Sequence, residues 1–192
     1  MTVIEQILEG INKGRAMYES VHGSITTAEE SSGSETCELC LGDNLEYMKQ
    51  LLERGYEGAF SLIYIDPPFF TRSSFNASVS VRDAGGASHK VHHLAYDDKF
   101  DRSLEYYIEN MTVRILMMKD LLANDGLMWI HLDWHSSHYI KLVLDELLGE
   151  KNFVNEIIWQ YKSGGSGKRH FARKHDTILV YSKSSKYRIN VP

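Results

Sequence analysis

SLIYIDPPFFTRSSF, residues 61–75, holds two of the chain's three prolines side by side, preceded by an aspartate and followed by two phenylalanines. The run AFSLIYID is continuously apolar up to its last residue, which predicts a strand buried on both faces, as in a parallel sheet. Pro67 and Pro68 then fix two φ angles and offer no backbone N–H, so the strand passes into a stiff loop rich in carbonyl acceptors. Asp66 adds a carboxylate acceptor and Phe69 an aromatic face. The combination suits a planar ring that carries an amino group, stacked on Phe69 with its two N–H hydrogens taken by Asp66 and a proline carbonyl. An exocyclic amine is a poor nucleophile because its lone pair spreads into the ring. Two fixed acceptors favour a pyramidal nitrogen and offset the positive charge that grows as it attacks an electrophile.

Around this stretch the chain alternates strand-like and helix-like segments. Residues 3–21 have helical apolar spacing interrupted by two glycines, and the small, polar GSITTAEESSGSE reads as a linker. TCELCLGDN alternates apolar and polar residues and predicts a short strand, followed by an amphipathic helix in LEYMKQLLERG. Residues 71–99 show no clear period and read as a mobile insertion. DRSLEYYIENMTVRILMMKDLLANDG predicts a long helix capped by Asp or Ser and closed by Gly126. LMWIHLD predicts a second buried strand, SSHYIKLVLDELLG a capped helix ended by glycine, and NEIIWQYK and DTILVYSK two more strands. This alternation is that of a doubly wound α/β sheet, whose ligands sit beyond the carboxyl ends of the strands, where Asp66 and Asp133 fall.

The 192 residues suffice for one domain, and no apolar run reaches the length of a membrane span. The acidic N-terminus is neither a secretory signal nor a transit peptide, and two nearby cysteines give no disulfide framework, so a cytoplasmic setting is expected. The net charge of −5 hides an asymmetry. Residues 160–192 carry eight Lys/Arg against Asp176 alone, a charge of +7, which leaves −12 on the rest. A basic end on an acidic body fits an edge that meets phosphates.

Other motifs fail on inspection. GGSGKR lacks the first glycine of a phosphate loop, where Lys162 stands, and has Arg169 in place of its Ser/Thr. Cys37 and Cys40 form one CxxC pair, with His89, His92 and His93 as candidate companions, on opposite faces of the predicted strand, so no metal site is expected. His131 and His135 flank a strand end without the helix and glutamate of a zincin and read as packing or rim residues. Neither cysteine follows a proline, as ring-carbon cytosine methylation requires. The apolar positions of MTVRILMMKDLL read as core-facing.

DPPF after an apolar strand resembles the signature of the amino-methyltransferases that act on DNA, the N6-adenine and N4-cytosine class. LGDNLEYMKQLL upstream, the long block from RILMMKDLL to IIWQYK, and FARKHDTILVYSKS resemble successive blocks of bacterial site-specific DNA methyltransferases, including modification subunits of restriction systems, from about residue 37 onward. The resemblance implies a Rossmann-like methyltransferase sheet, S-adenosylmethionine as methyl donor and double-stranded DNA with a flipped base. It places Asp66, Pro67, Pro68 and Phe69 in the catalytic motif, Phe171 where such enzymes often contact the base, and Asp43 near the cofactor. Lys168, Arg169, Arg173 and Lys174 are the expected DNA contacts. An aspartate leading the motif fits adenine better than cytosine, with N4-cytosine methylation as the alternative.

One departure from the family pattern matters. A late Phe-x-Gly-x-Gly motif for the donor's methionine part is missing, since GGSGKRHF and DAGGAS lack the preceding aromatic and the strand. The expectation is therefore an incomplete sheet, the N-terminal half of a longer enzyme: residues 1–34 as helix and linker, 35–192 as a partial catalytic domain. Alone it is expected to bind the donor poorly and to be inactive. A restriction subunit or a second copy is the expected protein partner, and a non-catalytic DNA-binding or assembly fragment is the reading from another class.

Overall fold

A computed structural model describes residues 1–25, 37–71, 74–82, 88–97, 103–162, 169 and 171–190. Its centre is a four-stranded open sheet of β1 (Phe60–Ile65), β4 (Leu122–Leu132), β6 (His175–Ser182) and β5 (Phe153–Gln160), in the spatial order β1-β4-β6-β5. β1 and β4 are parallel, while β6 runs antiparallel to both β4 and β5. The carboxyl ends of β1, β4 and β5 therefore share one rim with the start of β6. Asp66, Asp133, Tyr161 and His175 all sit on it, so the topology does put Asp66 and Asp133 where ligands of such sheets bind.

Helices α1 (Val3–His22), α2 (Asn44–Glu53), α3 (Leu104–Leu121) and α4 (Ser137–Leu144) share one core with the sheet. Ile63 and Ile65 of β1, Met128, Ile130 and Leu132 of β4, and Leu179 and Tyr181 of β6 contribute the sheet's side of it. From α3, Ile108, Val113, Ile115 and Met117 are fully buried, as their spacing predicts. The two glycines that interrupt the pattern of α1 lie on its packing face. A Cβ on Gly10 would stand 2.6 Å from the Glu105 carbonyl oxygen, and one on Gly14 2.5 Å from Thr112 Cβ, so α1 approaches α3 through a seam that only glycine allows.

Several expectations are corrected. β1 is an edge strand rather than one buried on both faces: Leu62 and Tyr64 are 56% and 52% exposed while Ile63 and Ile65 face the core. TCELCLGDN forms no strand from Cys37 onward; Leu39 and Leu41 are fully exposed, because alternation without a partner strand gains no hydrogen-bond ladder. Asp43 instead begins α2 as its N-cap, its side chain accepting from the Leu45 N–H at 2.8 Å. α3 is capped by Ser103 but stops at Leu121, five residues before Gly126. Leu122 is already extended and pairs with Phe60, and the register then jumps so that Leu62 pairs with Leu127. Gly126 serves this irregular stretch, where a Cβ would meet the Phe60 carbonyl oxygen at 2.9 Å.

α4 widens into a π-helical turn over Asp145–Gly149 and ends at Gly149 with φ 93°, where the sequence places a glycine stop. Ser136 makes no side-chain cap bond, although its hydroxyl is buried. The aperiodic region contains an antiparallel hairpin, β2 (Ser74–Arg82) with β3 (Ser88–Asp97), a two-stranded sheet of its own. The linker boundary at residues 34/35, Lys168 and the side chains of His89, His92 and His93 lie outside the described residues. Among the described residues no helix is long and apolar enough to cross a membrane, and no group of three His, Cys, Asp or Glu side chains could hold a metal ion.

Candidate functional site

The loop after β1 is held from beneath. Tyr107, fully buried on α3, donates its hydroxyl to the Pro68 carbonyl at 2.9 Å, and its ring stacks on Phe70 at 5.0 Å between centroids, 24° from parallel. Phe70 is buried with φ 59°, a left-handed turn that a non-glycine residue adopts at some cost. This turn sends Phe70 into the core and leaves Phe69 half-buried beside Asp66, which is exposed. Pro68's carbonyl thus has a donor within the protein.

Asp66, Pro67 and Pro68 form a wall between two cavities. One, about 260 Å³, is lined by these three and Phe69. The other, about 440 Å³, lies between the wall, the start of α2 and one flank of α3. Its polar lining comes from Asp43, Asn44, Asn110 and Arg114, its apolar lining from Ile65, Met111 and Met118. Arg114 organises this lining. Its guanidinium donates to Asp43 Oδ1 and Oδ2 at 3.0 and 3.3 Å, to Asn44 Oδ1 at 2.8 Å, and to the Asn110 carbonyl at 3.2 Å. Met111 and Met118, core residues by their spacing, thus also face a cavity.

On the other side of Asp66 stands His131 of β4. Its Nδ1 is 3.7 Å from Asp66 Oδ1 and 3.2 Å from the Tyr64 hydroxyl, and its Nε2 is 3.2 Å from Asp176 Oδ2. Its ring lies 5.7 Å from that of Phe69 at 57°, an edge-inclined contact. Further along the rim Asp133 accepts from the backbone N–H and the ring of His135.

Of the predicted DNA contacts, Arg169, Phe171, Arg173 and Lys174 lie in the connection between β5 and β6, which opens on the same rim. Phe171 is 98% exposed and Arg169 is exposed. Arg173 stacks over Trp134 at 4.0 Å, joining the basic loop to the turn after β4. The Lys174 carbonyl accepts from the Tyr161 N–H at 3.1 Å, closing the loop between β5 and β6. Sequence reasoning missed Tyr107, Arg114 and Asp176 as site residues and read His131 as a packing or rim residue without linking it to Asp66. A signal was present for His131, which interrupts the apolar run of β4 on the face that Tyr64 and, just past β1, Asp66 also share.

With this geometry in place, the comparisons with known proteins gain a physical meaning. A family profile described as DNA methylase matches residues 60–192, from the first residue of β1 onward. The chain belongs to this DNA methylase family. The methylase chain is 32% identical over 166 residues to the type II methyltransferase M.EcaI of Enterobacter cloacae, covering 86% of this chain and 33% of that protein. It is 28% identical over 174 residues to the Mod subunit of the type III restriction-modification enzyme EcoP15I of Escherichia coli, covering 84% and 26%. The methylase chain thus spans a third or less of these relatives' length. Among solved structures it is similar to an M1.HpyAVI–SAM complex (TM-score 0.46, 19% identity, 79% of this chain and 57% of that one). It is also similar to the cytosine-N4-specific PvuII DNA methyltransferase (TM-score 0.48, 18% identity, 84% and 51%).

Proposed function

We propose that this chain supplies the acceptor side of a DNA amino-methyltransferase, which moves a methyl group from S-adenosylmethionine to the exocyclic amine of a base flipped out of double-stranded DNA, adenine N6 in preference to cytosine N4. The observation that carries it is the shared wall: Asp66, Pro67 and Pro68 line both a cleft floored by Phe69 and the larger pocket behind it. A base in the first and a methyl donor in the second meet across these three residues.

Each residue then has a physical task. Phe69 supplies the stacking face. Asp66 and the Pro67 carbonyl accept the two amine hydrogens and turn the nitrogen lone pair toward the donor pocket. Tyr107 keeps the loop in register by holding Pro68, so the acceptors need no reorganisation as positive charge grows on nitrogen. The donor supplies an electrophilic methyl group on a sulfonium. The pocket's residues fit part of it: Asp43, Asn44 and Asn110 offer acceptors for hydroxyl and amino groups, and Met111 and Met118 an apolar wall. Outside the cleft, Arg169, Arg173, Lys174 and Lys168 face DNA phosphates, with Phe171 reaching for the base. Relatives that are Mod subunits support a role in restriction–modification, with a restriction subunit or a second copy as partner.

The test is methyl transfer from labelled S-adenosylmethionine to DNA by the full-length gene product, with Asp66→Ala alongside. Loss of transfer in the variant with DNA binding retained is expected. Equal transfer by both proteins overturns the mechanism, and DNA binding without transfer by the wild type favours a non-catalytic binding or assembly module.

A further inference from the structure

We propose that His131 is the relay partner of Asp66: it takes up, through the carboxylate, the proton that the amine sheds on methylation. The inference rests on the amino-methyltransferase reading and adds to it the path of the leaving proton.

Strand register builds the arrangement. Tyr64 pairs with Trp129 and Ile65 with Ile130 across the parallel β1–β4 ladder, so His131 falls beside Asp66, one residue beyond. His131 in turn pairs with Ile178 of β6, and period-two alternation brings Asp176 to the same face. The result is a row from Asp66 through His131 to Asp176, with Tyr64 beside the first gap. It grows more sheltered inward: the side chain of Asp66 is 61% exposed, those of His131 and Asp176 21% and 20%.

The chemistry follows from which nitrogen faces what. A carboxylate accepts only, so the contact between Asp176 Oδ2 and Nε2 at 3.2 Å is attractive when Nε2 carries the proton. A neutral ring then presents its lone pair at Nδ1, where the Tyr64 hydroxyl donates at 3.2 Å and Asp66 Oδ1 stands 3.7 Å away. Asp176 and Tyr64 would suffice to hold a histidine that only filled space; the same Nδ1 is also turned to the proposed acceptor carboxylate, which packing does not require.

Methylation creates the need for such a group. As the amine lone pair forms the N–C bond, the S–C bond breaks and its electron pair stays on sulfur, leaving a methylated nitrogen with one proton too many. That N–H breaks toward the Asp66 carboxylate. The Tyr64 hydroxyl rotates off Nδ1, and the carboxylic O–H so formed breaks toward that lone pair of His131, which frees Asp66 as an acceptor again. The imidazolium lies between Asp66 and Asp176 and releases its proton to solvent. No oxidant or reductant is involved, and among the described residues the charged or titratable groups in contact with the ring are Tyr64, Asp66 and Asp176.

The experiment is single-turnover methyl transfer by the full-length gene product with His131→Ala, and with Asp176→Asn, which leaves the ring in place. The expected results are a fall of about 10²-fold for His131→Ala, unchanged DNA and donor affinity, partial rescue by added imidazole, and loss of the acidic limb of the pH–rate profile. Asp66→Ala is not rescued. A wild-type rate in His131→Ala, or a loss that imidazole and pH leave unaltered, overturns the relay while leaving the methyltransferase reading intact. Imidazole ¹⁵N spectra of this chain decide the point without activity. A neutral His131 protonated at Nε2, changed by Asp176→Asn, is expected; protonation at Nδ1 overturns the proposal.

Discussion

The hydroxyl of Tyr107 and the carbonyl of Pro68, 2.9 Å apart, join α3 to the loop that carries the proposed acceptors. Tyr107→Phe keeps an aromatic ring to stack on Phe70 and removes this bond. The expected cost is about 1 kcal/mol of stability, or roughly 2–4 °C in Tm, with a larger proportional loss of methyl transfer because the loop loses its anchor. Thermal denaturation and transfer kinetics of the same preparation check this. A variant that loses stability but transfers at the wild-type rate would show that the bond serves folding alone.

The seam between α1 and α3 yields a prediction of a different kind. A Cβ at Gly14 would sit 2.5 Å from Thr112 Cβ and 2.7 Å from the Glu109 carbonyl oxygen, and backbone cannot swing aside as a side chain can. Gly14→Ala raises helix propensity yet is expected to destabilise by roughly 1–3 kcal/mol through overpacking. Leu8→Ala, on the exposed side of α1, is expected to stay within about 0.5 kcal/mol. Urea unfolding separates the two, and a stabilised Gly14→Ala would refute the close approach.

Much of this arrangement was legible in the sequence where periodicity met a strong terminator. β4, β5 and β6, the core face of α3, the stop at Gly149 and the rim position of Asp66 all follow from pattern and punctuation. Failures came where a pattern needs a partner that local sequence does not name. TCELCLGDN alternates like a strand but finds no ladder among the described residues, and AFSLIYID reads as central although its sheet position is the edge. The Asp66–Phe69 motif was readable because its chemistry is contiguous. Its supports were not: Tyr107, 39 residues from Pro68, and the more distant Arg114 and Asp176 are set by packing and register.

Acidity supplies a further check. Burial raises the Asp120 carboxyl above the usual aspartate range, against the opposing pull of the Tyr18 hydroxyl at 2.8 Å and the nearby His22 and Lys183. The folded protein therefore holds this proton more tightly than the unfolded chain does. Between the ordinary carboxylate range and the raised folded value, this group's contribution to stability falls as pH rises. Asp120→Asn keeps an acceptor for Tyr18 and removes the buried charge. It is expected to be more stable than the wild type at neutral pH, with the gap closing on acidification. Denaturant midpoints across pH test the sign, and a less stable variant at neutral pH would mean that His22 and Lys183 outweigh desolvation.

Arg114 and Asp43 give the sharpest test of the larger pocket. Asp43 has two roles that substitution can separate, since its carboxylate caps α2 through the Leu45 N–H and also takes the Arg114 guanidinium. Arg114→Met keeps the side chain's length and apolar stem but frees Asp43, Asn44 and the Asn110 carbonyl from their common donor. The pair is partly exposed, so the expected loss of stability is only about 1 kcal/mol. Asparagine is itself a good helix N-cap, so Asp43→Asn should leave α2 intact. If the pocket receives the methyl donor, both variants of the full-length gene product weaken donor binding by about tenfold or more, equal to roughly 1.4 kcal/mol. DNA affinity, which we assign to the basic rim, is expected to stay unchanged. Calorimetric titration with S-adenosylmethionine, beside DNA-binding assays at fixed salt, measures both. Donor affinity that survives both substitutions would assign the donor to another surface and leave Arg114 as a brace for the start of α2.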